Sequence, residues 1–310
     1  MAKRKSELWG IDLGGTKVEG IILKSSAGTE SIFRDRIPTE ADKGYKHVIR
    51  QIKKLVDMME KKAGYRPKNI GIGTPGTMDP HTGLFKNSNS TELNFKPLRD
   101  DLEDALGIHV ITANDANCFA LAETRLGVVK EKFPDAKVVF GVIMGTGCGG
   151  GIVVNGEVIN GLQGIAGEWG HNFLDESGGK CYCGKTGCVE SVIAGPALER
   201  YYCEQQGKDR KLKEIVDLAY AKSDPVAVRT VQRLNEMFGK AISVVINILD
   251  PDVIVVGGGV GNIETIYSQG IEYVKAYVFN DRLDTPIVRP MLGDSAGVFG
   301  AAFLVERTTL

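Results

Sequence analysis

One pattern in this chain, a strand, a glycine turn and a second strand, occurs twice, though the two copies match weakly residue by residue. Leu8–Leu23 reads LWGIDLGGTKVEGIIL and Phe140–Val154 reads FGVIMGTGCGGGIVV. Laid over each other, Gly10 falls on Gly141, Gly14 on Gly145 and Ile21 on Ile152, without a gap. Each copy is a pair of apolar runs about a glycine turn, the pattern of a β-hairpin. Its recurrence marks two related halves. A length of 310 residues exceeds what one compact core serves well and agrees with two domains.

α/β material lies between and after the hairpins. His47–Ala63 carries apolar residues at Val48, Ile52, Leu55, Val56 and Met59, the spacing of a helix. Short strands are expected at Asn69–Gly73 and Ile108–Ala113, and helices at Asn117–Leu126, Val226–Leu249 and Val298–Val305. Val253–Val256 reads as a buried strand, set off from the long helix by Asp250-Pro251. No low-complexity tether appears, so the boundary between halves is expected to be a packed hinge near residues 115–125.

The net charge of −1 gives no field that favours nucleic acid or an anionic membrane. The basic start Met1–Lys5 is followed by no apolar run, and no stretch is long enough to span a bilayer. A cytoplasmic protein is expected. Of six cysteines, Cys181, Cys183 and Cys188 fall within eight residues. A disulfide framework would be more dispersed, and the clustering points to a metal.

Five motifs carry chemistry. In Asp12-Leu13-Gly14-Gly15-Thr16-Lys17 the glycines can offer backbone N–H groups to an anion, Thr16 a hydroxyl, and Asp12 a carboxylate for a nucleotide's Mg²⁺. The plainer alternative is an ordinary hairpin turn, and no Walker A loop is present. Gly145-Thr146-Gly147-Cys148-Gly149-Gly150-Gly151 holds five glycines in seven residues. Each weakens a strand by about 0.5–1 kcal/mol, so something must approach that backbone closely. Phosphate is the expected visitor, gripped between the two related loops. Gly257-Gly258-Gly259 ends the buried strand and is either a further nucleotide loop or an incomplete Rossmann turn.

Asn114-Asp115-Ala116-Asn117 follows a strand end, where ligands of open α/β sheets bind. Asp115 there either accepts a proton from a substrate hydroxyl or caps a helix. Gly167-Glu168-Trp169-Gly170-His171 precedes the three clustered cysteines. His171, Cys181, Cys183 and Cys188 make a Cys₃His set, which suits a closed, structural Zn²⁺ site. Cys118, Cys148 and Cys203 read as packing residues.

These motifs, in this order from Trp9 to Val305, resemble the ROK (repressor, open reading frame, kinase) family of sugar kinases. Gly83–Asn94 (GLFKNSNSTELN) and Cys181–Gly187 (CYCGKTG) look most like its bacterial fructokinase (mannofructokinase) and glucokinase branch. The resemblance implies an α/β, duplicated RNase H-like fold of the actin-like ATPases, two domains flanking a cleft. The expected division is 1–118 with 296–310 against 119–295. It implies ATP-dependent phosphorylation of a hexose at the 6-hydroxyl, with Asp115 as general base. Sugar contacts are implied for Asn89, Asn114, Asp115, Glu168, His171 and Glu190. Nucleotide contacts are implied for Asp12, Gly14, Gly15, Thr16, Lys17, Gly145, Thr146, Gly147, Gly257, Gly258 and Gly259. Fructose, mannose and glucose are the expected substrates, N-acetylhexosamines the alternative, and a homodimer is usual in the family.

Phosphoryl transfer needs positioning and charge neutralisation more than covalent chemistry, which suits such loops. His171 is expected to bind zinc through one ring nitrogen and a sugar oxygen through the other. A sugar-sensing repressor is the main rival. The few residues ahead of the first strand are expected to leave no room for its helix-turn-helix, and the intact Asp115 opposes a binding protein without activity.

Overall fold

The computed structural model describes residues 7–306. Two sheets carry the chain. Strands β1 (Leu8–Leu13), β2 (Lys17–Leu23), β3 (Ser31–Pro38) and β4 (Asn69–Thr74) are followed by a small ribbon, β5 (Thr77–Met78) with β6 (Phe85–Lys86), and by β7 (His109–Asn114). The first sheet has the order β3-β2-β1-β4-β7. Strands β8 (Val138–Met144), β9 (Cys148–Val154), β10 (Glu157–Val158), β11 (Val253–Gly257) and β12 (Ile287–Val288) form a second sheet, β10-β9-β8-β11-β12. Each order is third, second, first, fourth, fifth strand. In the first sheet β2 runs antiparallel to both neighbours while β1, β4 and β7 are parallel; in the second β8, β11 and β12 are parallel. The duplication read from the two hairpins is therefore a duplication of whole sheets.

By contacts the described chain forms two compact units, residues 7–135 with 151–166 and 291–306, and residues 136–150 with 167–290. The helix Asp115–Arg125, where the sequence suggested a hinge, lies inside the first of them. Among the described residues no helix is long and apolar enough to cross a membrane.

Helix α1 (Tyr45–Ala63) forms where the apolar spacing placed it. Val48, Ile52, Leu55, Val56 and Met59 share its inner face and are buried with Trp9, Ile11, Val18, Ile22 and Ile70 of the sheet. Gly64 ends it in the left-handed region, its N–H returning to the Glu60 carbonyl. Helix α2 (Leu98–Leu106) covers the same face through Leu98, Leu102 and Leu106. The long helix Pro225–Leu249 starts at Asp224, whose carboxylate accepts from the N–H groups of Val226 and Ala227, and stops at Asp250 before Pro251.

The other face of the first sheet is closed by a different device. Helix Ala296–Phe303 lies so near β1 and β4 that a Cβ on Gly10 would overlap the backbone of Ala302, and one on Gly71 the carbonyl of Ala301. On its far side, a Cβ on Gly300 would overlap the Cys118 carbonyl of helix α3 (Asp115–Arg125). Three absent side chains thus let a strand pair, a late helix and α3 meet backbone to backbone. Glu123 of α3, fully buried, secures the approach to that helix. Its carboxylate accepts from the N–H groups of Val128 (2.9 Å), Met291 (3.0 Å) and Leu292 (2.8 Å).

Gly71→Ala should consequently lower stability by at least about 2 kcal/mol, because backbone cannot yield as a side chain can. Gly28→Ala, where a Cβ meets nothing within 4 Å, should stay within about 0.5 kcal/mol of the parent protein. Urea unfolding of the two variants decides it, and equal midpoints would show that the helix does not sit this close.

Candidate active site

Strands β1, β4 and β7 are parallel, so their carboxyl ends share an edge, and Asp12, Gly73 and Ala113 stand side by side in register there. Asp12 comes from the end of β1 and Asp115 from the first residue after β7. Gly73 keeps the intervening row clear, since a Cβ on it would lie 3.1 Å from Cys118 Sγ and 3.5 Å from an Asp12 oxygen. Gly297 does the same from the late helix, 2.9 Å from the other oxygen. Desolvation pushes the Asp12 pKa up to about 6, and the like charges of Asp115 and Glu19 add to it against Lys17 and Arg36. Glu19, buried opposite Asp12 on β2, is itself held by Arg34 (2.7 Å) and Arg36 (2.6 Å).

Both members of the Asn114-Asp115 pair meet the helix end. Asn114 is the N-cap, its Oδ1 accepting from Ala116 N–H at 2.9 Å, and Asp115 Oδ1 accepts from the same N–H at 2.8 Å. Asp115 reaches solvent but is set among densely packed atoms. That desolvation raises its pKa against the hydrogen bonds from Ala116 and Asn114. Its fixed carboxylate has a position and a basicity suited to taking a proton.

The first glycine loop is a tight turn closed by Gly14 N–H to the Lys17 carbonyl at 3.0 Å, with Gly15, Thr16 and Lys17 exposed. Thr39, buried at the end of β3, braces it from behind. Its hydroxyl donates to the Gly14 carbonyl (2.7 Å) and its N–H to the Thr16 carbonyl (3.0 Å). Asn89 is exposed on the neighbouring loop, where a Cβ on Gly15 would lie 3.4 Å from Ser90 Oγ. Asn94 shapes that loop by accepting from Ser88 N–H and donating to the Ser88 carbonyl, each at 2.9 Å.

In the second unit the glycine run has a different explanation from the one its sequence suggested. A Cβ on Gly147 would lie 2.5 Å from a Glu190 oxygen, and one on Gly150 at 2.5 Å from the Trp169 ring. In the first unit, one on Gly151 would overlap the Ala116 carbonyl. These positions are glycine because protein occupies the space, so at them the glycine is by itself no sign of a phosphate. Thr146 is exposed at the tip of the turn Gly145–Gly147, and Gly145 faces the third loop, a Cβ there lying 3.9 Å from Gly259 N. Gly258 adopts φ 83° where a side chain would overlap Met144, so the strand can pass into the short helix Gly258–Gly261 only with glycine. Glu190 is also bonded, by the Gly147-facing oxygen, to Cys148 N–H at 2.9 Å.

The Cys₃His set assembles. One ligand atom from each of His171, Cys181, Cys183 and Cys188 lies within 4.8 Å of all the others. Cys183 Sγ and Cys188 Sγ are 3.5 Å apart, and Cys181 Sγ is 3.7 Å from His171 Nδ1. Tetrahedral zinc would set these edges near roughly 3.8 and 3.6 Å, so the donor set fits that ion. Glycines at 179, 184 and 187 take positive φ in the loop, while Gly178 makes room for Ser191. Trp169 holds the preceding segment to β9 by donating to the Gly149 carbonyl at 2.8 Å, and Glu168 adjoins it. The second nitrogen of His171, Nε2, is 3.1 Å from the Tyr182 hydroxyl. Cys118 and Cys148 are buried apart from this cluster, and Cys203 is half-buried.

Thr39, Glu19 and Tyr182 are site residues that sequence reasoning passed over. The IPT end of β3 and the tyrosine between two cysteines were visible, but neither motif states a partner.

The chain matches the ROK family over residues 8–308. It is 34% identical over 306 residues to the N-acetyl-D-glucosamine kinase of Vibrio parahaemolyticus, which covers 96% of this chain and 98% of that one. The crystal structure of the ROK hexokinase from Thermus thermophilus superposes with a TM-score of 0.84 at 32% identity, covering 96% of this chain and 97% of that one. That of a ROK family glucokinase from Streptomyces griseus, in complex with glucose and AMPPNP, gives 0.76 at 25% identity, covering 96% and 98%. The relative most alike in sequence among these is an N-acetyl-D-glucosamine kinase rather than a fructokinase. Family match, full-length similarity and shared architecture agree: the chain belongs to the ROK family and is a sugar kinase with its two-domain, actin-like ATPase fold.

Proposed function

We propose that this protein transfers the γ-phosphoryl group of ATP to the 6-hydroxyl of a hexose, N-acetyl-D-glucosamine before glucose, mannose or fructose. The observation that carries the reaction is Asp115, a carboxylate of raised pKa pinned at a strand end beside Asp12. The choice of sugar rests on the N-acetyl-D-glucosamine kinases among the relatives. Asp115 accepts the proton of the attacking hydroxyl, and Asn114 and the Ala116 N–H hold it in place. The turns Gly14–Lys17, Gly145–Gly147 and Gly257–Gly259 offer backbone N–H groups to the phosphates. Asp12, whose ionisation its neighbours oppose, is relieved by a dication, and Mg²⁺ bound there would supply charge neutralisation. Asn89, Glu168, His171 and Glu190 orient the sugar. Zinc in the Cys₃His set is structural and keeps the His171 ring in one orientation.

A hexose panel with ATP and Mg²⁺, followed by ADP release, tests the reading. N-acetyl-D-glucosamine should give the highest kcat/KM. Binding of a hexose without ADP release would identify a sugar sensor instead. Asp115→Asn should lose about 10²–10⁴ in kcat while sugar affinity changes little.

Zinc should be stoichiometric in the purified protein by elemental analysis, and its removal by chelator should lower both thermal stability and sugar affinity. Cys203→Ser should retain the metal. Full hexose binding by metal-free protein would overturn the ligand assignment.

Asp12 makes a prediction about pH. Its folded pKa of about 6 exceeds the unfolded value of 3.8, so the folded state loses stability as pH rises through this window. Without divalent cation, Asp12→Asn should match the parent below pH 4 and exceed it above pH 6 by at most about 3 kcal/mol. Urea titrations at the two pH extremes measure the gap, and its absence would place Asp12 in a solvated setting.

A further inference from the structure

His171 turns Nδ1 toward Cys181, inside the ring of ligand atoms, which leaves Nε2 facing outward. Metal on Nδ1 puts the ring proton on Nε2, making that nitrogen a donor. The acceptor opposite it is the Tyr182 hydroxyl at 3.1 Å, with the two rings edge to face at 5.2 Å and 88°. Tyr182 rides on the tight turn between Cys181 and Cys183, closed by Gly184 N–H to the Cys181 carbonyl at 3.0 Å. It is 71% exposed, so little apolar packing holds the ring where it is. A hydroxyl that accepts from an imidazole offers that donor what a sugar hydroxyl would offer it.

The geometry points to Tyr182 as a place-holder for the sugar: in the sugar-free protein its hydroxyl occupies the His171 Nε2–H, and a hydroxyl of the hexose exchanges with it on binding. This rests on the reading that Glu168, His171 and Glu190 hold the sugar. The exchange keeps the imidazole oriented and its donor satisfied while the site is empty. It also sets a competitor against every hexose, one that weakly bonding sugars displace less well. Tyr182 thereby acts as a positioning and specificity residue, without contact to the transferred phosphoryl group.

Tyr182→Phe removes the competing hydroxyl and keeps the ring. On zinc-loaded protein, calorimetry should show hexose binding tightened by about two- to tenfold, the worth of one neutral hydrogen bond. The zinc content should be unchanged. The His171 Nε2 resonance in ¹⁵N spectra should differ between parent and variant without sugar and coincide when both are saturated. A variant that binds hexose equally or less tightly, while the parent binds and phosphorylates it, overturns the place-holder alone. If neither protein binds any hexose, the sugar reading of the site falls and the place-holder falls with it.

Discussion

The close seating of helix Ala296–Phe303 on β1, β4 and α3 governs the first unit. Side chains between a helix and a sheet ordinarily hold their axes about 10 Å apart. Here glycines at 10, 71 and 300 remove that layer. The gain is precision: backbone on backbone leaves few alternative packings, so the ends of β1 and β7 are fixed relative to each other. Asp12 and Asp115 inherit that precision, since each follows directly from one of those strands. The same seating bears on the electrostatics of Asp12, because Gly297 of that helix comes up against its carboxylate and adds to its desolvation.

The second unit fixes its site residues by another means. The segment from Glu168 to Cys188 has few buried apolar side chains and many turns, and the cluster of His171, Cys181, Cys183 and Cys188 gathers it where a core would otherwise be needed. Trp169 anchors one end in β9, and Glu190 ties the other to the glycine turn through Cys148 N–H. Glu190 is thereby positioned by its bond to Cys148 N–H and His171 by Nδ1 among the cysteine sulfurs.

Much of this was legible in the sequence because it is local. Hairpin, helix period and the spacing of Cys181, Cys183 and Cys188 are written within a few residues, and the duplication is the same local signal twice. What a missing side chain makes room for is not local. The run Gly145–Gly151 read as an opening for phosphate, yet Glu190, Trp169 and Ala116 fill the space at three of its positions. Those partners lie far off in the chain, and only tertiary packing names them. Asn114 and Asp115 posed a similar limit: both residue types cap helices well, so composition could not say which one was committed to the cap. The roles of Thr39, Glu123 and Tyr182 stayed hidden for the same reason, each residue being ordinary in type and defined by its contacts.

Helix Ala296–Phe303 completes a core that begins at Leu8, and this orders events during synthesis. The strands of the first sheet leave the ribosome long before the helix that covers one of their faces, and the whole of residues 167–290 is made in between. The nascent first unit must wait with Gly10 and Gly71 bare and that face open, while the second unit already has its full complement of strands and helices. Such an early, half-covered sheet is the kind of surface that chaperones bind. Loss of only the last helix would strand the oldest part of the chain in that state.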